Sequence, residues 1–334
     1  EYGMTSLSGA ITPWATTAGD ITRKVNKYVA ELWDAAPPQE VGLMYSWDTD
    51  ALLLNETERF DLQRTYATYA GGTKAMGIQS LVGASRALVD ENVPFEYVTE
   101  KELMQGIALK YPVLFVPGAR AVSDSLYTLL HDYVLKGGHL ITDVQFGFLD
   151  PYGKVRPTGQ GKAMEQLFGA WIDAIHDSRT QPLKIDSLNV KGLFGDIALT
   201  KATVVKTFSN GKPAVTEYTV GKGKTTLLAY EAGRSSFLPG NALNNTLVKN
   251  CIAGTMPVTL VSNADMAVER SVGAVTHIFL FNTSDRDQIY RVEKTGKRFS
   301  EATLVLEDKT LQGGDSLSVP VKAGSAAWIR TMVK

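Results

Sequence analysis

The chain has 334 residues, of which 44% are hydrophobic and 21% are charged, and its formal net charge at pH 7 is −1. This composition is typical of a globular protein with two or three domains. The balanced charge does not indicate binding to a nucleic acid or an anionic membrane, so neither is expected as a partner. No apolar run approaches the roughly 20 residues of a membrane helix.

The cysteine and histidine content limits the disulfides and metal sites that the chain can form. One cysteine, Cys251, excludes an internal disulfide and a cysteine-based zinc site, and the four histidines show no metal-ligand spacing. No metal and no other cofactor is therefore expected. The cysteine content does not choose between the cytoplasm, the periplasm and secretion.

The first predicted element is a helix near the N-terminus. Asp20 has the character of an N-cap, and apolar residues then follow at helical spacing up to the stop at Ala35-Ala36-Pro37-Pro38. A lone helix cannot bury its apolar stripe, so we expect it to pack on a preceding domain. The opening residues Glu1-Tyr2-Gly3-Met4 are typical of the interior of a longer chain.

From Glu40 onward, predicted strands alternate with predicted helices. The strands are short apolar runs, and a long helical stretch that contains Gly71-Gly72 ends near Glu91. The predicted strands of this part are Val41–Tyr45, Phe95–Val98, Val113–Val116 and His139–Thr142. Continuous apolar strands linked by helices predict a parallel sheet covered on both faces. The expected fold is an α/β domain of the flavodoxin-like or class I glutamine amidotransferase-like kind.

The second half of the chain becomes rich in β structure. Residues 145–225 have a less regular pattern, with strand-like stretches at Thr203–Phe208 and Ala214–Val220. A strand at Thr226–Tyr230 and a closing helix at Asn241–Ala253 follow. After Pro257 the chain consists of short alternating segments separated by turn residues, which predicts a small antiparallel β-sandwich.

An amidotransferase-like fold raises the question of a nucleophile, which such enzymes hold on a tight turn after a strand. Cys251 instead lies in a predicted helix, where a buried structural thiol is expected. Ser85 lacks the second glycine of the motif and also falls in a predicted helix. No histidine completes a triad with either residue, so no catalytic residue is assigned.

The run Gly221-Lys222-Gly223-Lys224-Thr225 resembles a phosphate-binding loop only superficially. The motif requires an additional glycine where this chain has Tyr218, and a phosphate loop must open a helix rather than join two strands. A β-hairpin turn is the better interpretation.

Tyr45, Trp47 and Asp48 form the candidate binding site, because they follow the first predicted strand. Ligands of open α/β sheets bind at the carboxyl ends of the strands, and aromatic rings stack on sugars while carboxylates accept sugar hydroxyls. Trp47 could equally fill a domain interface. Asp143, after another strand, has the same two interpretations. A glycosidase needs two carboxylates across a cleft, and no barrel is predicted that would hold them.

The order of these segments resembles the C-terminal part of a glycoside hydrolase family 42 β-galactosidase. Residues 9–32 resemble the end of that family's catalytic barrel, including its last helix. Glu40–Leu52, Tyr111–Thr142 and Ala214–Tyr230 resemble its trimerisation domain. The runs Ile278-Phe279-Leu280-Phe281-Asn282 and Ala326-Ala327-Trp328-Ile329-Arg330 resemble its C-terminal β domain.

The resemblance implies a barrel remnant at 1–37, a trimerisation domain at 38–257 and a β-sandwich at 258–334. It implies a non-catalytic region that assembles subunits, commonly as homotrimers, and helps to wall the active site. The partners would be the missing barrel, further copies of the chain and a galactoside substrate of the parent enzyme. The family's catalytic glutamates lie on the barrel, so none is carried over. Thr65–Ala87 is longer than the family pattern, and a related family acting on algal galactans fits equally well.

Two other functions are consistent with the residues. One is a stand-alone amidotransferase-like module that binds a sugar or a peptide through Trp47 and Asp48 without catalysis. The other is an enzyme that uses an unrecognised serine or carboxylate.

Overall fold

The computed structural model describes residues 4–6, 8–37, 39–57, 76–156, 159–256 and 260–334. Its contacts divide the chain into two compact units. The sandwich unit consists of Glu1–Pro38 and Val258–Lys334, and the α/β unit consists of Gln39–Pro257. None of the described helices combines the length and apolar character needed to cross a membrane.

Two helices open the chain, α1 (Pro13–Lys27) and α2 (Val29–Asp34). Helix α1 begins earlier than the sequence pattern suggested, so the prediction that Asp20 is an N-cap is wrong. The Thr12 hydroxyl instead accepts a hydrogen bond from the Ala15 amide at 3.4 Å, and Pro13 occupies the first turn. Proline is favoured there because its fixed φ suits a helix and its missing amide hydrogen is not needed.

The α/β unit begins with strands and helices in alternation. In chain order its elements are β1 (Val41–Tyr45), α3 (Trp47–Thr57), α4 (Met76–Asp90), β2 (Phe95–Thr99), α5 (Glu100–Met104), a 3₁₀ turn (Ile107–Lys110), β3 (Val113–Val116), α6 (Asp124–Leu135) and β4 (His139–Thr142). The four predicted strands are thus confirmed. The predicted Gly71-Gly72 interior of a long helix lies outside the described residues.

The rest of the α/β unit contains more strands than the sequence pattern indicated. Its elements are α7 (Gly159–Phe168), β5 (Ala170–Asp177), β6 (Lys184–Ile185), β7 (Leu188–Asn189), β8 (Leu193–Leu199), β9 (Thr203–Thr207), β10 (Pro213–Val220), β11 (Gly223–Leu228), α8 (Ala232–Phe237) and α9 (Ala242–Ala253). Strands β5 and β8 pair antiparallel, with Ala170 opposite Leu199, in a stretch expected to be irregular.

The main sheet of this unit has seven strands in the order β2-β1-β3-β4-β11-β10-β9. The first five are parallel, and every residue of β3 and β4 is buried, as their apolar runs predicted. The predicted parallel sheet is confirmed for these five strands, and β10 and β9 extend it in the antiparallel direction. The two-residue turn at Gly221-Lys222 causes this, since so short a connection can only join antiparallel strands.

Helices α4 and α8 cross in backbone contact at two glycines. A Cβ atom on Gly83 would lie 1.9 Å from the Gly233 carbonyl oxygen, and one on Gly233 would lie 2.1 Å from the Ser80 carbonyl oxygen. Neither backbone atom can move aside as a flexible side chain could. The crossing therefore depends on glycine at both positions.

Residues 260–334 form the predicted antiparallel β structure, which confirms that expectation. The strands are β12 (Leu260–Ser262), β13 (Met266–Val272), β14 (Val275–Asn282), β15 (Gln288–Lys294), β16 (Phe299–Leu304), β17 (Lys309–Leu311), β18 (Ser316–Val321) and β19 (Ser325–Val333). They form a three-stranded sheet, β12-β15-β18, and a five-stranded sheet, β13-β14-β19-β16-β17. Both sheets contribute to one core, in which Ile278, Val292, Val319 and Ile329 are fully buried.

Helices α1 and α2 belong to the sandwich unit because they pack on its five-stranded sheet. The rings of Tyr28 and Trp328 meet edge to face with centroids 5.6 Å apart. The Arg330 guanidinium donates two hydrogen bonds to the Glu31 carboxylate, at 2.8 and 2.7 Å. Trp328 Nε1 donates to His277 Nδ1 at 3.0 Å, and His277 Nε2 lies 3.2 Å from Glu31 Oε2. The N-terminal helices thus cover part of the sandwich surface.

Candidate functional site

The carboxyl edge of the seven-stranded sheet carries the candidate site. Parallel strands present their carboxyl ends at one edge, so the residues that follow β1, β2, β3 and β4 are brought together there. Polar side chains follow three of these strands directly, namely Ser46 after β1, Glu100 after β2 and Asp143 after β4.

The first group of these side chains joins β1, β2 and the loop after β3. Ser46 Oγ donates to Glu100 Oε1 at 2.8 Å and lies 2.9 Å from Thr49 Oγ1. The Ala121 amide donates to Thr49 Oγ1 at 3.0 Å. Ser46 and Thr49 are buried, with 8% and 2% of their surface exposed. The hydrogen bonds therefore connect the ends of β1 and β2 with the loop after β3.

Two carboxyl groups in this first group have pKa values well above their ordinary ones. Burial raises the pKa of Glu100 to about 7, and the neighbouring Asp48 carboxyl raises it further while the Ser46 hydroxyl lowers it. Burial also raises the pKa of Asp50 to about 6, against a hydrogen bond with Tyr45. A buried carboxyl resists ionisation because the charged form loses its hydration.

A second group lies beyond the ends of β4 and β11. Asp143 accepts hydrogen bonds from the amides of Gly118 (3.0 Å) and Gln145 (3.3 Å). Glu231 accepts from the Leu193 amide at 2.6 Å, from Arg234 Nη1 at 3.2 Å and from the Gln145 side-chain amide. Both carboxyl groups are fully buried. The hydrogen bonds of this second group thus connect residues that follow different strands of the sheet.

Burial again controls the protonation of this second group. It raises the pKa of Asp143 to about 7, with a further contribution from the nearby Glu231 carboxyl. Burial also raises the pKa of Glu231, although the Arg234 guanidinium opposes that shift. Two acids with no exposed surface are poorly placed to exchange protons with a substrate, so their evident role is structural.

Of the sequence-predicted site residues, the structure brings Tyr45, Trp47 and Asp48 together. The rings of Tyr45 and Trp47 lie edge to face with centroids 6.4 Å apart. Trp47, at the start of α3, is 66% exposed, whereas Tyr45 and Asp48 are half-buried. The fourth candidate, Asp143, is separate from this trio and inaccessible. The trio offers an aromatic surface beside carboxyl groups.

Glu100, Asp50 and Glu231 were not identified from the sequence. Glu100 directly follows β2, so the rule that found Trp47 and Asp48 could have found it as well. Glu231 lies three residues beyond β11 and carries the same signal. Asp50 sits on α3, and no sequence signal separates it from an ordinary exposed helix aspartate.

The candidate nucleophiles occupy structural positions. Cys251 lies on α9, and burial raises its pKa to about 12, so its thiol stays protonated. Ser85 lies on α4 and donates its hydroxyl hydrogen to the Val82 carbonyl at 2.8 Å. Gly221-Lys222 is the turn of the β10–β11 hairpin, which confirms that prediction. Among the described residues, no three histidine, cysteine or acidic side chains gather as a metal site.

Comparison with known proteins gives the relatives of this chain. It is 26% identical over 234 residues to β-galactosidase LacZ of Heyndrickxia coagulans, which covers 66% of the chain and 33% of that protein. Among solved structures, a catalytic mutant of Gan42B, a GH42 β-galactosidase from G. stearothermophilus, has a TM-score of 0.74 and 15% identity over 99% of this chain and 46% of that one. A β-galactosidase from Bacillus circulans sp. alkalophilus has a TM-score of 0.71 and 16% identity over 96% and 45%.

These structural likenesses establish the fold, and the chain spans a third of the curated relative and under half of the solved ones. Residues 40–252, which are more than half of the chain, match the family described as the β-galactosidase trimerisation domain. That match includes both groups of strand-end side chains and the whole seven-stranded sheet. The chain therefore belongs to the family of β-galactosidase trimerisation domains.

Proposed function

We propose that this chain is the oligomerisation and active-site-walling region of a β-galactosidase-like glycoside hydrolase, and that it is inactive by itself. The parent reaction would be hydrolysis of terminal β-galactosides or of related galactan oligosaccharides. The observation that carries the proposal is the match of residues 40–252 to the trimerisation domain family. The buried Asp143 and Glu231 at the carboxyl edge of the sheet support it, because neither carboxyl group is exposed to a substrate.

The proposal includes a domain layout. Residues 1–37 would be the end of a TIM barrel, 38–257 the trimerisation domain and 258–334 the C-terminal β-sandwich. Within the second domain, the five parallel strands follow the order β2-β1-β3-β4-β11, which supports a flavodoxin-like, amidotransferase-like fold. Helices α1 and α2 carry exposed apolar side chains suited to a missing barrel, since Trp33 is 85%, Val29 48% and Ile21 43% exposed.

The active-site wall would consist of Tyr45, Trp47 and Asp48. An exposed indole can stack on the face of a galactose ring, and the adjacent carboxyl can accept its hydroxyl hydrogens. In the longer enzyme that contains this region, Trp47→Ala should raise KM for a chromogenic β-galactoside several-fold while leaving the oligomeric state unchanged. Ile289→Ala, at an exposed apolar side chain of β15, should leave KM unchanged. Equal effects of both substitutions would contradict the assignment of Trp47.

The test of the main proposal combines light scattering with an assay on a chromogenic β-galactoside. An inactive trimer of the chain is the expected result. An active monomer would overturn the proposal, because it would require a catalytic site among residues assigned here to the fold. The alternative, a stand-alone sugar-binding or interaction module, is not favoured by the family match.

A further inference from the structure

A buried histidine of the sandwich unit lies where α2 packs on the five-stranded sheet. Ile278 on β14 belongs to the core between the two sheets, so its neighbour His277 points to the opposite face, toward α2. His277 is fully buried. Trp328 Nε1 lies 3.0 Å from its Nδ1, and Glu31 Oε2 lies 3.2 Å from its Nε2. Both ring nitrogens therefore face a polar group of the folded chain.

These contacts fix the tautomer of His277. The indole N–H of Trp328 can only donate, so Nδ1 accepts its hydrogen bond and carries no hydrogen of its own. A neutral imidazole then carries its hydrogen on Nε2, the nitrogen that faces Glu31. Among the described residues, Nε2 has no acceptor with the alignment of a hydrogen bond. The arrangement is therefore suited to a neutral imidazole that is held through Trp328.

A second proton on His277 would break the contact with Trp328. It would bind to Nδ1, where two N–H groups would then meet at 3.0 Å with no acceptor between them. Burial lowers the pKa of His277, and the Arg330 guanidinium lowers it as well, although the Glu31 carboxylate opposes both. The imidazolium can therefore form only when the ring moves away from Trp328.

The strands beside β14 add positive charge on the same face. The antiparallel register places Arg270 of β13 and Arg330 of β19 directly opposite His277, one on each side. Directly opposed residues point their side chains to the same face of a sheet. The Glu31 carboxylate already accepts two hydrogen bonds from Arg330. Arg270 is exposed, so water screens its charge, and Arg330 is the stronger of the two cations.

On the helix side, the contact depends on the same rings. Tyr28, between α1 and α2, lies edge to face with His277 and with Trp328, at 6.3 and 5.6 Å between ring centroids. Lys27 Nζ, from the end of α1, lies 5.2 Å from the centre of the Tyr28 ring. Movement of His277 away from Trp328 would therefore disturb the packing of Tyr28, which connects both helices to the sheet.

We propose that His277 is a pH-dependent switch that keeps α1 and α2 packed on the five-stranded sheet at neutral pH and releases them in mild acid. The neutral imidazole accepts the Trp328 hydrogen bond and completes the packing. The second proton removes that hydrogen bond and brings another cation beside Arg330. The inference concerns the sandwich unit and does not depend on the proposed function.

The switch responds below the ordinary pKa of histidine. The packed state binds a proton on His277 more weakly than the released state, whose imidazole has the ordinary pKa of 6.5. The stability that His277 gives to the packed state is therefore present above pH 6.5 and is lost as pH falls below it. The pKa of Glu31 is lowered from 4.5, so Glu31 stays ionised while His277 takes up its proton. The two residues thus act in separate ranges of pH.

Hydrogen exchange detected by mass spectrometry tests the switch in the full 334-residue chain. The amides of residues 13–34 should lose about tenfold in protection between pH 7.5 and pH 5.5, after correction for the intrinsic pH dependence of exchange, because pH 5.5 lies one unit below the pKa of the released imidazole. The amides of α6 are the internal reference and should lose no protection. Equal protection of residues 13–34 at both pH values would overturn the proposal.

Three variants separate the switch from ordinary burial. His277→Asn keeps an acceptor oxygen near the position of Nδ1 but does not titrate, so the change with pH should vanish. Trp328→Phe keeps an aromatic ring but removes the N–H that opposes the second proton, so the change should shrink to less than about threefold. His131→Asn, on α6, is the matched control and should keep the full change. A full change in either of the first two variants would overturn the proposal.

Nitrogen-15 NMR of the chain labelled at histidine tests the tautomer directly. The signals of His277 are those that disappear in His277→Asn. At pH 7.5 they should be those of an imidazole with a hydrogen on Nε2 and none on Nδ1. A hydrogen on Nδ1 at that pH would exclude the hydrogen bond from Trp328 and overturn the proposal.

Discussion

In the α/β unit, Asp143 and Glu231 are fully buried, and burial raises both pKa values. In the sandwich unit, Glu31 keeps 32% of its side chain exposed, and two hydrogen bonds from Arg330 lower its pKa. The partners differ as well, since Asp143 is held by backbone amides, which bring no full positive charge. The comparison shows that the pKa of a hydrogen-bonded carboxyl group can be either raised or lowered. Burial raises the pKa, and a positively charged donor lowers it.

The largest loss of stability is expected when Glu231 is replaced. Glu231→Ala should lower the free energy of unfolding by about 3–5 kcal/mol, because the nearly buried Arg234 loses its counter-charge and the Leu193 amide loses its acceptor. Chemical denaturation measures the change. Asp173→Ala, an exposed carboxylate on β5, is the control and should change stability by less than about 0.5 kcal/mol. Similar losses for both variants would contradict the role of Glu231.

Glycine-to-alanine changes compare the helices of the two units. Gly83→Ala should destabilise the chain by about 3 kcal/mol, since the new Cβ would meet the Gly233 backbone in the crossing of α4 and α8. Gly19→Ala, inside α1, meets only the Arg23 side chain at 3.8 Å and should stabilise by up to about 1 kcal/mol. Thermal unfolding should show shifts of opposite sign. Two shifts of the same sign would contradict the packing described for Gly83.

The opposite pKa shifts should appear as opposite pH dependences. Because the pKa of Asp143 rises from 3.8 to about 7 on folding, the folded state binds a proton more tightly between those values. Stability from this residue therefore falls as pH rises through that window, by at most about 1.4 kcal/mol per pH unit. Asp143→Asn should reduce the slope in urea denaturation series at pH 4 to 7, and the part that remains comes from Asp50, Glu100 and Glu231. An unchanged slope would show that Asp143 ionises normally.

Glu31 should show the reverse dependence with a smaller amplitude. Its lowered pKa contributes stability above the ordinary carboxyl range, and that contribution is lost as pH falls through the folded-state pKa. Arg330→Leu should remove about 1 kcal/mol at pH 7, because the pair is partly exposed, and progressively less as acid protonates Glu31. Arg330→Lys keeps the charge but loses the two-pronged geometry, so an intermediate loss is expected.

The strands of the sheet could be predicted because their apolar runs are continuous and bounded by turn residues. Val113–Val116 and His139–Thr142 are buried throughout, as that pattern requires. Strand β5 was missed although Ala170–Asp177 shows some alternation, because one antiparallel pair within an irregular stretch gives a weak signal. Asp20 was misread as a cap because its helix continues through it from Thr12.

The candidate site was predictable only in part. Tyr45, Trp47 and Asp48 could be placed because they follow a strand directly, and the structure brings them together. The hydrogen bonds at this edge could not be predicted, since Glu100, the first residue of α5, lies 54 positions from Ser46 along the chain. Long-range polar pairing depends on sheet order, which a single sequence does not specify.

The sandwich unit is assembled from the two ends of the chain, with residues 39–257 between them. During synthesis, α1 and α2 leave the ribosome before Trp328 and Arg330, the residues on which Tyr28 and Glu31 pack. At roughly 5–20 residues per second, the intervening segment takes on the order of ten seconds or more to synthesise. The α/β unit can fold in that interval. The apolar surface of α1 and α2 stays exposed until Trp328 and Arg330 have been synthesised, and chaperones can bind to it during that time.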